Sequence, residues 1–126
     1  MENSIEFTGY VSEKEKWKLY TNADVFVIAS TTETQSLVVF EAMKAGAPVI
    51  ATSFGGIRDY VKNNYNGLIF KKNDAEDLAN KMMRLLHNKN LRNKLTKNGR
   101  EYIENFSIEK CADSLDKYYK DVIQNN

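Results

Sequence analysis

"ADVFVIASTTETQSLVVFEAMKAGAPVIAT", residues 23–52, decides the fold. It holds an apolar strand candidate at 25–30, a helix candidate at 36–46 and a second apolar strand candidate at 47–52. Near-continuous apolar and β-branched runs are typical of strands covered on both faces. Gly46 is a natural C-terminal stop for the helix. The order strand, helix, strand predicts a parallel pair joined by a helical crossover.

The flanking sequence extends this alternation. "IEFTG" at 5–9 and "NGLIF" at 66–70 are predicted strands. Ser12 and Glu15 form a capping box that predicts a helix through residue 23. A short helix is predicted after a glycine loop at 54–56, and three more follow from 75, from 90 and from near 107. Strands alternating with helices predict an α/β fold, a parallel sheet with helices on both faces and C-terminal helices beyond it.

Composition limits the function. The 126 residues suit a single domain, 1–126, and the net charge of +1 gives no footprint for nucleic acid. A single cysteine, Cys111, and a single histidine, His87, exclude an intrachain disulfide and provide no zinc spacing. Cys111 is predicted to be a buried apolar residue of the last helix. No signal peptide or long apolar span is evident, which predicts a cytoplasmic protein. Local positive charge could still favour peripheral contact with an anionic membrane.

Two glutamates mark the candidate site. Glu33 follows the buried strand at 25–30, and Glu41 lies about one and a half turns into the next helix. Between them, the backbone N–H groups of Gln35, Ser36 and Leu37 lie at a helix N-terminus, which attracts phosphate. Phosphate flanked by two carboxylates would suit a nucleotide sugar. The alternative is that Glu33 caps the helix and Glu41 is a tolerated edge residue.

The same segments carry a family resemblance. "FTGYVS", "ADVFVIAS", the Glu33–Glu41 pair, "EAMKAGAPVIAT", "GGIRD", "NGLIF" and "FSIEKCADSLDKYY" follow one another from about Ile5 to the end of the chain. In this order they resemble the C-terminal donor-binding domain of group 1 retaining glycosyltransferases. The resemblance implies the Rossmann-like half of a GT-B glycosyltransferase.

The resemblance also implies roles for individual residues. Glu41 matches the carboxylate that binds the ribose hydroxyls, and Glu33 matches the catalytic-site carboxylate beside the donor sugar. The backbone of Ser36, Leu37 and Val38 would approach the diphosphate. Ser36 stands where the family usually has glycine, so it adds an N-cap hydroxyl and a Cβ near the phosphate.

Four further residues are implied in donor binding. Tyr10 and Val11 follow a strand-end glycine and would border the base. Gly55 and Gly56 match the loop that faces the cleft. A tight turn that needs positive φ explains these two glycines equally well.

Parts of the family pattern have no match in this sequence. Two strand–helix units, with an arginine and a lysine for the diphosphate, normally precede "IEFTG", and an N-terminal acceptor-binding domain precedes those. We therefore expect an incomplete donor-binding domain. The gap beside the strand at 25–30 leaves three alternatives: direct pairing with "IEFTG", strands from a second chain in a homodimer through the exposed sheet edge, or a disordered "IEFTG" segment.

The implied reaction is sugar transfer from a nucleotide diphosphate donor with retention at the anomeric carbon, to a glycan or glycolipid acceptor. We expect no metal and no cofactor, because protein donors serve the diphosphate and no Asp-x-Asp motif is present. The isolated chain is expected to be inactive, so whether it is an enzyme is left open. The alternatives are a non-catalytic nucleotide-binding module and a structural interaction domain.

Overall fold

The computed structural model describes residues 4–32 and 36–124. Strands and helices alternate through the first 70 residues, and helices follow. The strands are β1 (Phe26–Ile28), β2 (Val49–Thr52) and β3 (Leu68–Phe70). The helices are α1 (Glu13–Asn22), α2 (Leu37–Ala45), α3 (Ile57–Tyr60), α4 (Ala75–Leu86), α5 (Lys89–Ile103) and α6 (Ile108–Gln124), with a 3-10 turn at Glu104–Phe106 between the last two.

Within the described residues the three strands form one parallel sheet in the order β1-β2-β3. Val27 lies opposite Ile50 in the first pair, and Ile50 lies opposite Leu68 in the second. All four residues of β2 are buried, as expected for a central strand covered on both faces. The predicted α/β class and the parallel sheet are confirmed.

Two apolar clusters cover the two faces of this sheet. Alternate residues of β2 point to opposite faces, so Val49 and Ala51 belong to one cluster and Ile50 to the other. The first cluster is completed mainly by α1, α2 and α3, and the second by α4 and the first half of α5. Helices therefore lie on both faces, as predicted.

Local signals explain where the helices begin and end. The capping box at α1 is complete, because Ser12 Oγ accepts from the Glu15 N–H and Glu15 Oε2 accepts from the Ser12 N–H at 2.9 Å. Asp74 Oδ1 accepts from the Asp77 N–H at 2.8 Å and starts α4. Gly46 ends α2 at φ 91°, a left-handed conformation that glycine adopts without steric cost.

The strand predicted at 5–9 is wrong. These residues form neither helix nor strand, and the Phe7 side chain is 94% exposed. An isolated apolar stretch becomes a strand only where a neighbour accepts its backbone hydrogen bonds, and in the described chain β1 pairs with β2 alone. Direct pairing of this segment with β1 does not occur. A homodimer through the free edge of β1 stays a prediction.

The last helix begins beside Ser107, as predicted, but its apolar stripe is not buried. Leu115, Tyr118 and Tyr119 are all more than half exposed, and α6 holds no buried residue. The prediction of a buried Cys111 is wrong, because the thiol-bearing side chain is exposed on the same helix. Across the described residues, every helix is too short or too polar to cross a membrane.

Candidate functional site

A groove of about 690 Å³ opens beside the N-terminal half of α2. Leu37 and Glu41, one helical turn apart, lie on its α2 wall. Trp17 of α1 faces the groove from one side, and the end of α5 with the following turn closes the other side. The remaining lining residues are Phe40, Lys44, Arg100, Ile103, Glu104, Phe106 and Ser107.

Aromatic packing holds the walls of this groove together. The Phe40 ring lies 5.3 Å from the Phe106 ring and 5.0 Å from the Tyr60 ring, centroid to centroid. Tyr102 packs on Phe106 at 5.3 Å and donates its hydroxyl to the Asp59 carbonyl at 3.0 Å. Offset and edge-on aromatic pairs of this kind add specific stabilisation to apolar burial. Helices α2 and α3 and the end of α5 therefore form one packed unit beside the groove.

The Glu41 carboxylate is held by two donors from α1. Lys16 Nζ lies 3.1 Å from Glu41 Oε1, and the Tyr20 hydroxyl lies 3.2 Å from Glu41 Oε2. Lys16 also bonds Glu13 Oε1 at 2.9 Å, so it bridges two carboxylates. The Glu41 side chain remains 28% exposed. The carboxylate is therefore hydrogen-bonded to α1 at the edge of the groove and remains accessible to a ligand.

Both donors keep their protons at neutral pH. Hydrogen bonds to Glu13 and then to Glu41 raise the pKa of Lys16, which outweighs its partial desolvation. Burial raises the pKa of Tyr20, and the neighbouring Glu41 carboxylate raises it further. Glu41 therefore faces an ammonium on one side and a neutral hydroxyl on the other.

Ser36 occupies the N-cap position of α2, but its predicted capping hydrogen bond is not formed. The residue is only 1% exposed, and its hydroxyl is buried with no hydrogen-bond partner among the described residues. The N–H groups of Leu37 and Val38, at the first two helical positions, have no acceptor within the helix, as at any helix start. The predicted role of these amides in diphosphate binding stays a prediction.

The other predicted site residues are dispersed. Glu33 lies outside the described residues, so its position relative to Glu41 stays a prediction. Tyr10, 98% exposed, and Val11 line a separate groove of about 660 Å³ with residues of α1, and that groove does not include Glu41. The structure thus brings Leu37 and Glu41 together and leaves Tyr10 and Val11 on a neighbouring surface.

The loop of Gly55 and Gly56 lies between β2 and α3, at the carboxyl end of the sheet. Gly55 has φ 63°, the left-handed conformation of a tight turn, whereas Gly56 has φ −66° and needs no glycine on conformational grounds. A cavity of about 640 Å³, lined in part by Ser53 and Arg58 on either side of this loop, also collects three lysines and one carboxylate: Lys62, Lys71, Lys81 and Asp77.

Sequence reasoning missed Lys16 and Tyr20. They are 25 and 21 residues from Glu41 along the chain, and a lysine and a tyrosine on a surface helix carry no local sign of their partner. The one available signal is the apolar spacing of Trp17 and Tyr20, which marks the face of α1 that packs inward. Which acidic residue that face meets depends on how α1 packs against α2.

Fold and groove define a Rossmann-like α/β domain with a carboxylate beside a helix N-terminus. Residues 1–102 match the family model described as Glycosyl transferases group 1, and the chain belongs to this family, with the GT-B fold. The solved sucrose-phosphate synthase of Thermosynechococcus elongatus aligns with 98% of this chain and 31% of its own, at 32% identity and a TM-score of 0.84.

Two further proteins are similar to nearly the whole of this chain. The alpha-monoglucosyldiacylglycerol synthase of Acholeplasma laidlawii is 34% identical over 97% of this chain and 30% of its own length. A mutant of S. aureus TarM, solved with Fondaparinux, alpha-GlcNAc-glycerol and UDP, is 28% identical over 94% of this chain and 24% of its own, with a TM-score of 0.80. The chain spans about a third of the length of the curated relatives it matches.

Proposed function

We propose that this chain is the donor-binding domain of a retaining glycosyltransferase and that it binds a nucleoside diphosphate sugar beside α2. One observation carries the proposal: the Glu41 carboxylate lies in the same groove as Leu37, one helical turn from the N-terminus of α2. A helix N-terminus favours a diphosphate, and a carboxylate accepts from sugar hydroxyls. Residues 37 and 41 are about 6 Å apart along the helix axis, at a rise of about 1.5 Å per residue.

The chemistry assigned to the whole enzyme follows from this placement. The bond from the anomeric carbon to the diphosphate breaks, a bond to the acceptor oxygen forms on the same face of the sugar, and the proton of the acceptor hydroxyl passes to the leaving diphosphate. Negative charge grows on the leaving diphosphate, where the first amides of α2 stabilise it. Glu33 is proposed to orient the donor sugar, as the catalytic-site residue.

The acceptor and the remaining machinery belong to the longer protein. The name of the Acholeplasma relative favours a glycolipid acceptor over other glycans. An N-terminal domain would bind that acceptor, and the 126-residue chain alone would bind donor without transferring it. A cytoplasmic location with peripheral membrane contact is part of the same proposal.

Calorimetric titration of the chain with UDP, GDP and ADP tests donor binding. We expect one of the three to bind, and Glu41→Gln to weaken it at least about tenfold, because hydrogen bonds to a charged group are lost. Glu101→Gln is the matched control, since Glu101 is an exposed glutamate on α5. If none of the three nucleotides binds, or if wild type and Glu41→Gln bind equally well, the proposal is contradicted and a structural interaction domain is favoured.

A transfer assay separates the enzyme from a non-catalytic nucleotide-binding module. The full-length protein that contains this domain should transfer sugar to a lipid acceptor and release the nucleoside diphosphate. The same protein with Glu41→Gln should lose most of that turnover. Tight nucleotide binding by the full-length protein without release of sugar, to lipid or to water, would favour the module.

A further inference from the structure

We propose that Lys16 and Tyr20 are positioning residues that aim the Glu41 carboxylate at a ribose cis-diol and make the site select ribonucleotides over 2′-deoxyribonucleotides. This inference rests on the proposed nucleotide-binding function and on the ribose contact that the family resemblance implies for Glu41, and it adds two positioning residues. Both residues lie on α1, whereas Glu41 lies on α2. The specificity would therefore be set across the contact between two helices.

The hydrogen-bond count at Glu41 supports the inference. A carboxylate has about four lone-pair sites, two on each oxygen. Lys16 takes one site on Oε1 and Tyr20 takes one site on Oε2. Among the residues that the structure describes, one site on each oxygen remains, and the side chain is partly exposed in the groove. Two hydroxyls on adjacent carbons can donate to two oxygens of one carboxylate, which is the pattern that the 2′ and 3′ hydroxyls of ribose present.

Tyr20 is the rigid part of this arrangement. It is a buried residue of the first apolar cluster. Its ring packs edge-on against Trp17 at 6.0 Å and against Phe26 at 5.5 Å between centroids. Because the ring packs against two aromatic neighbours in the core, its hydroxyl is placed at a defined position beside Oε2. The second oxygen is then oriented by Lys16, which is itself held by Glu13.

A purely structural reading assigns the same contacts to tying α1 onto α2. Partly exposed ion pairs contribute little to stability. More decisively, that reading predicts that loss of either donor lowers affinity for ribo- and deoxyribonucleotides in equal proportion. A positioning role predicts loss of affinity for the ribonucleotide alone. Only the ribonucleotide has both the 2′ and the 3′ hydroxyl, so only it can donate two hydrogen bonds to the oriented carboxylate. The ratio of the two affinities therefore separates the readings.

The experiment measures that ratio by calorimetry for three pairs: UDP with 2′-deoxy-UDP, GDP with 2′-deoxy-GDP, and ADP with 2′-deoxy-ADP. Wild-type protein should prefer the ribonucleotide of its pair about tenfold or more, as expected for one hydrogen bond to a charged group. Tyr20→Phe and Lys16→Met should reduce the preference to about threefold or less, with little change in 2′-deoxynucleotide affinity. Lys14→Met, a change at an exposed lysine of α1, should keep the wild-type preference.

The outcomes distinguish this inference from the function on which it rests. A strong ribonucleotide preference that persists in both Tyr20→Phe and Lys16→Met overturns the positioning role and leaves nucleotide binding intact. Equal wild-type affinity within each pair also overturns this inference and leaves nucleotide binding intact. Failure of wild-type protein to bind any of the six nucleotides overturns the proposed function and this inference together. Thermal melts of each variant exclude misfolding as the cause of a lost preference.

Discussion

Asn66 Oδ1 accepts the backbone N–H of Lys62 at 2.7 Å, and Asn66 Nδ2 donates to the Tyr60 carbonyl at 2.9 Å. The residue is 1% exposed, so these two hydrogen bonds connect the end of α3 to the segment before β3 from within the protein interior. The "NG" pair at 66–67 thus does more than mark a turn before a strand. Its asparagine side chain holds the segment that connects α3 to β3.

Removing the two hydrogen bonds of the Asn66 side chain should lower the stability of the protein. Asn66→Ala leaves the Lys62 N–H and the Tyr60 carbonyl without these part-buried hydrogen bonds, and we expect a loss of about 1–3 kcal/mol in the free energy of unfolding. Urea denaturation measures it. Asn98→Ala is the matched control, because Asn98 also donates to a backbone carbonyl, that of Tyr65 at 2.7 Å, but on the surface. Equal losses in the two variants would show that burial of Asn66 is not the source of its effect.

Gly67 and Gly99 should respond differently to substitution by alanine. A Cβ at Gly67 would lie 2.9 Å from the Val49 carbonyl oxygen and 2.7 Å from Val61 Cγ1, and the backbone of β2 cannot yield. We expect Gly67→Ala to destabilise the protein by about 1–3 kcal/mol. A Cβ at Gly99 would meet Met43 Cγ at 3.3 Å, the flexible part of a methionine.

At Gly99, alanine also gains about 1 kcal/mol of helix propensity inside α5, which offsets the tighter contact. Gly99→Ala should therefore stay within about 1 kcal/mol of wild type in the same urea experiment. A Gly67→Ala protein as stable as Gly99→Ala would mean that β2 and β3 shift more easily than their close packing implies.

Stability should fall in alkaline solution through Tyr20. Burial, and then the Glu41 carboxylate, raise the pKa of Tyr20 above its unfolded value of about 10. The unfolded chain therefore loses this proton first, so stability is complete below about pH 10 and declines as the pH rises through the folded pKa. The raised pKa of Lys16 acts in the same direction.

Urea denaturation at several pH values from 8 to 11.5 measures this dependence. Tyr20→Phe should flatten the decline above about pH 10, and Tyr65→Phe, a change at a surface tyrosine, should leave it as in wild type. A slope that Tyr20→Phe does not alter would indicate that Tyr20 ionises in the folded protein as readily as in the unfolded chain.

The sequence by itself determined the elements whose signals are local. The capping box at Ser12 and Glu15, the left-handed stop at Gly46 and the apolar runs of β1, β2 and β3 each act within a few residues, and each appears where predicted. The alternation of these elements was enough for the α/β class and for helices on both faces. The family resemblance rested on the same local motifs, and the family match supports it.

Tertiary structure alone decided what depends on partners distant in the chain. "IEFTG" has a strand-like composition, yet it forms no strand because no described neighbour pairs with it. Cys111 lies on an amphipathic helix, yet it is exposed, as are Leu115 and Tyr118 of the same helix. Glu41 was recognisable as a candidate, but its orientation by Lys16 and Tyr20 arises where α1 meets α2. Periodicity specifies which face of an element is apolar, whereas contact between elements specifies what that face meets.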